Sequence, residues 1–283
     1  MKQKTFLSKS VIILITMIIA ISLILCFFVF NQQANAEMPI WDKIDYEEFF
    51  GTEEYTGFTG YAIRTDNTFL NKYRYFYVFA SSAGGMGGSS DDDNGAYGGG
   101  AGGMVAVKID NYLINCLIFF VGKGGGTFND ESNGVPYGDG YETVIIALYS
   151  NGTDIRASGA TCYGGKAGNN TEPGKGGTWQ IDNRSGFMTT LYGQNGADGG
   201  QSSPHFSVDL GFRTQHFIFR PSGINLSGKG GGASAFNSGG NGGMISTKGA
   251  NGTKGAGGGG AGKGTNQGGF GGDGYVELYG SNM

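Results

Sequence analysis

The chain has 283 residues, of which 58 are Gly and 5 Pro, and its formal net charge is −4. That charge excludes a nucleic-acid binder of the usual kind, which carries a basic stripe. So much glycine with so little Pro leaves two readings, a disordered low-complexity chain or an ordered fold that uses glycine as a building element. The 20 Phe, 15 Tyr and 2 Trp decide for the second, because disordered chains are poor in aromatic residues.

Lys2, Lys4 and Lys9 precede Val11–Phe30, twenty residues without a charge. As a helix this run is long enough for a bilayer core of about 30 Å. Lysines before it and acidic residues after it place the N-terminus inside and the remainder outside. Ala34-Asn35-Ala36 is an A-x-A site, so cleavage after Ala36 stands beside a retained signal anchor. Both outcomes export the chain, as a secreted or a single-pass cell-surface protein. Residues 1–36 are therefore read as signal peptide or anchor, 37–55 as an acidic and aromatic stalk, and 56–283 as a glycine-rich β domain.

An edge strand is expected around Gly60–Arg64. KYRYFYVFAS, Lys72–Ser81, is the first strong strand, and aromatics on both of its faces predict burial on both sides or a subunit contact. A glycine loop too long for a hairpin follows. Strands resume at Met104–Ile109 and Tyr112–Val121 around a tight turn at Asp110-Asn111, then at Glu142–Tyr149 and Ile155–Ala160. Thr178–Ser203 reads as loops. Phe206–Phe212 and Gln215–Arg220 read as paired strands, and Tyr275–Tyr279 closes the chain. No segment after residue 37 has sustained helical periodicity, so the exported part is all-β. Short strands between turn-rich loops point to a sandwich or jelly roll.

The glycine runs abut these strands. One leads directly into the last strand, which argues against slack linkers, since loose chain would oppose closing that strand onto a sheet. The ordered alternative is a set of extended helices with three residues per turn, packed side by side, and it is favoured for Gly255–Gly274. Lys, Ser, Thr and Asn interrupt the terminal glycine runs, a pattern at odds with one long regular bundle.

Few residues promise chemistry. Gly257–Thr265, GGGGAGKGT, imitates a phosphate loop, but Gly264 stands where Ser or Thr must follow the lysine. His205 and His216 have no neighbours at metal-ligand spacing in the sequence. Asp91, Asp92 and Asp93 offer oxygen ligands for calcium without the spacing of a calcium loop, and a solvated loop tip is the better reading. Asp182, Asp198 and Asp209 show no spacing that pairs them for glycoside hydrolysis. Asn151, Asn169, Asn183, Asn225 and Asn251 begin N-x-[ST] sequons and are candidate glycan sites in a eukaryotic host. Cys116 and Cys162 could form a disulfide outside the cell, or Cys116 could be a buried thiol of its strand. No cofactor is implied.

The order YRYFYVFAS, AGGMGG, GGGAGG before MVAVKI, VGKGGG, SGATCYGGKAG and GGFGGDGYVELY carries a resemblance over roughly residues 56 to 280. It is similar to the glycine-rich domains of bacterial surface proteins and phage tail adhesins. It also resembles the extracellular glycine-rich region of anaplastic-lymphoma-kinase-type receptors. That resemblance implies a jelly-roll or tumour-necrosis-factor-like sandwich with packed polyglycine helices, non-enzymatic, binding a surface protein or glycan, and often a homo-oligomer. A secreted carbohydrate-active enzyme and a flexible matrix or coat protein are the alternatives.

Overall fold

In the computed structural model the described residues are 47–48, 57–64, 71–90, 94–126, 138–210 and 214–282. The hydrophobic run Val11–Phe30, the cleavage site at Ala36 and Asp91–Asp93 lie outside them. Among the described residues no helix is long and apolar enough to cross a membrane.

The described chain is all-β, with every strand pairing antiparallel. A two-residue ladder, β1 (Glu47–Glu48), precedes eleven longer strands: β2 (Phe58–Arg64), β3 (Tyr75–Ser81), β4 (Met104–Asp110), β5 (Ile114–Gly122), β6 (Thr143–Ser150), β7 (Ile155–Cys162), β8 (Trp179–Asp182), β9 (Met188–Gln194), β10 (Phe206–Asp209), β11 (Thr214–Phe217) and β12 (Tyr275–Ser281). One sheet has the order β1-β2-β5-β6-β7-β8, a second β12-β3-β4-β9, and β10 and β11 form a separate hairpin.

Strand β3 explains why these form three layers. Its residues point alternately to opposite faces. Phe76, Val78 and Ala80 join Val105, Val107, Leu117, Phe119 and Ile145 in the core between the two sheets. Tyr77 and Phe79 point the other way, into a second core with Met104, Phe206, Val208 and Phe217. The four-stranded sheet is thus the middle layer and hairpin β10–β11 its outer cover. Phe206 lies between Tyr192 and Phe217, with ring centroids 4.4 and 4.6 Å away. Of the two expectations for β3, burial on both sides is met within one chain, and no second copy is needed to cover its aromatic face. Two strands, β8 and β9, occupy the stretch expected to be loops.

The strands feed glycine segments at one end of the sandwich. β3 runs into Ser82–Ser90, Gly95–Gly103 runs into β4, and Gly268–Gly274 runs into β12. These segments hydrogen-bond to one another with a period of three. Gly255–Gly262 is buried throughout and shows the rule most fully. Gly257 and Gly260 donate to Gly232 and Lys229, Gly258 and Ala261 to Gly85 and Gly88, and Gly259 and Gly262 to Ala250 and Thr247, all at 2.8–3.0 Å. Their carbonyls accept in the same rotation. Gly257 and Gly260 accept from Gly240 and Gly243, Gly258 and Ala261 from Gly99 and Ala96, and Gly259 and Ala256 from Gly269 and Gly272, at 2.7–2.9 Å. One extended three-fold helix therefore bonds to six neighbours, the arrangement expected when polyproline-II-type backbones pack side by side. Ala83–Gly88 and Ala96–Gly103 are similarly surrounded.

At its closest contacts only glycine permits this spacing. A Cβ on Gly258 would fall within the carbonyl of Gly269, and one on Gly259 within that of Asn241. The interruptions of the terminal run end its central helix, as expected: the chain turns at Lys263–Gly264, and Gly269 and Gly272 return alongside it, donating to Gly259 and Ala256. Elsewhere on the rim polar residues occupy the third position that faces solvent: Lys166 and Asn169 are exposed while Gly165 and Gly168 are buried, and Lys175 is exposed between buried Gly174 and Gly177.

Candidate binding surfaces

The bundle projects from the sandwich. Ser81 ends β3 and Ser90 lies nine residues further out, which at about 3.1 Å per residue is roughly 28 Å. At the far end the segments tie to one another. Ser90 donates to the carbonyl of Thr265 and Ser246 to that of Lys263, while the Lys263 amide donates to Ser227 Oγ at 2.9 Å. Gly228 donates to Gly243 and Gly242 to Ile224. This framework holds Ile224, Leu226, Met244 and Ile245 at 49–71% exposure. Neighbouring apolar side chains on a rim otherwise made of glycine and polar residues are a concentration of the kind that marks a contact surface. Nothing in their sequence signals it, because residues 224–226 and 244–245 meet only through the bundle's register.

The sequon asparagines have structural work. Asn151 Oδ1 accepts from the amides of Thr153 and Asp154, and Asn169 Oδ1 accepts from those of Thr171 and Glu172. Both are Asx turns, in which the side chain replaces a backbone acceptor. The following threonine hydroxyl donates to the same oxygen in each, at 3.0 and 2.9 Å, so turn chemistry accounts for both residues of the sequon pattern. Asn183 Oδ1 accepts from Met188, Asn225 Oδ1 from Gly230 and Asn251 Oδ1 from Phe270. Carboxylates serve likewise. Asp139 pairs with Lys166 at 2.9 Å and accepts from the Ala167 amide at 2.8 Å. Asp198 pairs with Lys175 at 3.1 Å and accepts from Gly176.

Of the two alternatives for the cysteines, the disulfide is not formed: Cys116 and Cys162 are both thiols, Cys116 half-buried and Cys162 buried. In the sheet register Cys116 lies opposite Leu148 of β6 and Cys162 opposite Thr143. Five residues along a strand at about 3.3 Å each hold them some 16 Å apart, beyond disulfide reach. Cys162 is fully buried, its Sγ 3.6 Å from the carbonyl of Ala80, and that burial raises its thiol pKa well above the ordinary value.

Among the described residues no group of three or more His, Cys, Asp or Glu could hold a metal ion. Hairpin β10–β11 does bring the two histidines together, His205 stacking on His216 at 6.3 Å between centroids, with Ser207 Oγ 2.8 Å from His216 Nδ1. Only the hairpin register could reveal this. The carboxylates considered for hydrolysis do not converge: Asp182 lies on β8 of the six-stranded sheet with Arg184 at 2.9 Å, and Asp209 on the hairpin beyond the other sheet.

Fold and surface together define a class: a β-sandwich extended at one end by a bundle of mutually hydrogen-bonded glycine helices, with side chains displayed at the bundle's tip. The family model described as a glycine-rich domain matches residues 64–279, and the chain belongs to that family. No curated protein matches the chain in sequence.

Proposed function

We propose that this is an exported, non-enzymatic surface module that presents the tip of its glycine bundle for adhesion or binding. The observation that carries the reading is the exposed group Ile224, Leu226, Met244 and Ile245, held beyond the sandwich on a backbone lattice. A lattice whose amides and carbonyls are bonded to one another is stiff, and stiffness lowers the ordering cost of binding. Export is read from Val11–Phe30, with either release at Ala36 or membrane anchoring. The ligand class is a protein or glycan of another surface. On the strength of the resemblance, the sandwich is grouped with the jelly-roll and tumour-necrosis-factor-like forms, and the module is a homo-oligomer.

The test is binding of the full exported chain to intact cells and to a panel of glycans and surface proteins. A variant with Leu226→Ser, Met244→Ser and Ile245→Ser is compared with the parent. Since these side chains are exposed, the variant should melt like the parent and lose at least about tenfold in affinity, or about 1.4 kcal/mol. Undiminished binding by a folded variant would remove the tip from the proposal. Light scattering that shows only monomer would remove the oligomer.

A further inference from the structure

A cleft of about 270 Å³ opens beside the outer hairpin, where the end of β11 meets β12 and the loop before the central glycine helix. Its walls include Gln215, Phe217, Arg220, Phe236, Lys254 and Glu277. We propose that it binds an acidic sugar, a single ring that bears a carboxylate and hydroxyl groups.

Arg220 carries the argument. Its backbone is pinned in both directions to Ser203, which donates to it at 2.9 Å and accepts from it at 3.1 Å. Its Nε is nevertheless buried without a hydrogen-bond partner among the described residues. The Nε is sealed inside the wall, while the side chain as a whole is half-buried and lines the cleft. The terminal pair of Nη groups is the part that would meet a ligand, and its planar fork matches a carboxylate in bidentate geometry.

A second cation stands at the rim. Lys254 adopts φ of 46°, in the left-handed region that a long side chain rarely enters. It is held there by the Ser234 hydroxyl, which donates to its carbonyl at 2.7 Å. The result sets its ammonium 4.3 Å from the centre of the Tyr275 ring. Strained backbone that positions a charged group at a cleft is a recurrent feature of ligand sites.

The remaining groups select the ligand. Glu277, whose Oε2 accepts from Tyr279 at 2.8 Å, and the amide of Gln215 suit hydroxyls. A carboxylate in the wall disfavours a bare inorganic anion. Phe236 is braced edge-on against Phe217 and Tyr275, at 5.6 and 5.0 Å between centroids, and offers an aromatic wall to the apolar face of a ring. The volume lies just below the range of about 300–1,000 Å³ usual for small-molecule sites, which restricts the occupant to roughly one ring. The cleft lies on the sandwich, separate from the bundle tip, and its occupancy is independent of what the tip contacts.

The experiment is calorimetric or saturation-transfer titration of the full exported chain with glucuronic acid and N-acetylneuraminic acid. Glucose, galactose and inorganic phosphate serve as comparators. At least one acidic sugar should bind about tenfold or more tighter than the neutral sugars and phosphate. Arg220→Gln should lower that affinity about tenfold or more, and Arg220→Lys should fail to restore it because an ammonium has no fork. Lys254→Gly relieves the left-handed strain, so it should weaken binding without lowering the melting temperature. It tests the cleft even if the Arg220 variants do not fold. Absence of acidic-sugar binding by the parent chain, equal binding of phosphate, or full affinity in folded Arg220→Gln and Lys254→Gly would each overturn the proposal.

Discussion

Gly258→Ala tests the lattice at its centre. The added methyl would lie within the carbonyl of Gly269 and close on that of Phe270. Both are backbone atoms of a neighbouring helix, so no side chain can rotate away. Separating these two helices breaks at least two buried bonds, Gly269 N–H to the Gly259 carbonyl at 2.7 Å and Gly272 N–H to the Ala256 carbonyl at 2.8 Å. Each orphaned pair costs about 1–3 kcal/mol, and overpacking adds about 1–3 kcal/mol more. Against this, alanine restricts the unfolded chain and returns only about 0.4–1 kcal/mol. A net loss of roughly 2–9 kcal/mol is a large part of the whole stability of a domain, about 5–15 kcal/mol. For a domain of this size each kcal/mol is worth about 2–4 °C in Tm, so the variant should melt about 10 °C lower or fail to fold. Lys229→Ala, at an exposed position of an adjoining segment, should stay within about 0.5 kcal/mol. Thermal unfolding followed by circular dichroism or calorimetry gives both values. A Gly258→Ala melting temperature within about 2 °C of the parent would refute close backbone packing as the reason for glycine here.

Amide hydrogen exchange should show Gly257–Gly262 protected as strongly as strand β3, since each of these amides is bonded to a neighbouring helix; exchange at free-peptide rates would mean slack chain. Phe217→Ala should cost about 3–5 kcal/mol, because it removes the ring that stacks on Phe206 and closes the outer core; denaturant titration measures it. Alkaline pH should destabilise the fold. Burial raises the Cys162 thiol in the folded state, so stability is complete below the unfolded value of about 8.5 and declines above it, as only the unfolded chain loses that proton. Tyr149, raised chiefly by burial, adds to the decline above about pH 10. Cys162→Ala should remove the thiol component in unfolding curves taken between about pH 8 and 11, whereas an unchanged slope would refute it. Asn225→Ala should cost about 1 kcal/mol and expose the Gly230 amide to exchange, since Oδ1 is its acceptor at 2.8 Å.

Local pattern made much of the architecture legible. Alternating aromatics over Tyr73–Phe79 announced a strand buried on both faces, and the cores on either side of β3 are the result. Glycine runs that abut strands announced an ordered element. Trp179–Asp182 and Met188–Gln194 escaped notice because their residues are largely exposed or half-buried, so no apolar alternation marks them. The two cysteines looked pairable because spacing in sequence carries no information about register across β5, β6 and β7.

For the surface the balance reverses. Composition by itself determined that this is an aromatic-cored β protein built with glycine, and the sequence order of runs and strands fixed where chain enters and leaves the bundle. Which amide meets which carbonyl was decided only in three dimensions. Gly258 bonds to Gly85 across 173 positions of chain, and glycine has no side chain with which to specify that choice. The strands that flank each run set the register instead, and that register decides which third positions face solvent. It therefore sets Lys166, Asn169 and Lys175 on the bundle's outer surface, and gathers Ile224, Leu226, Met244 and Ile245 toward its tip.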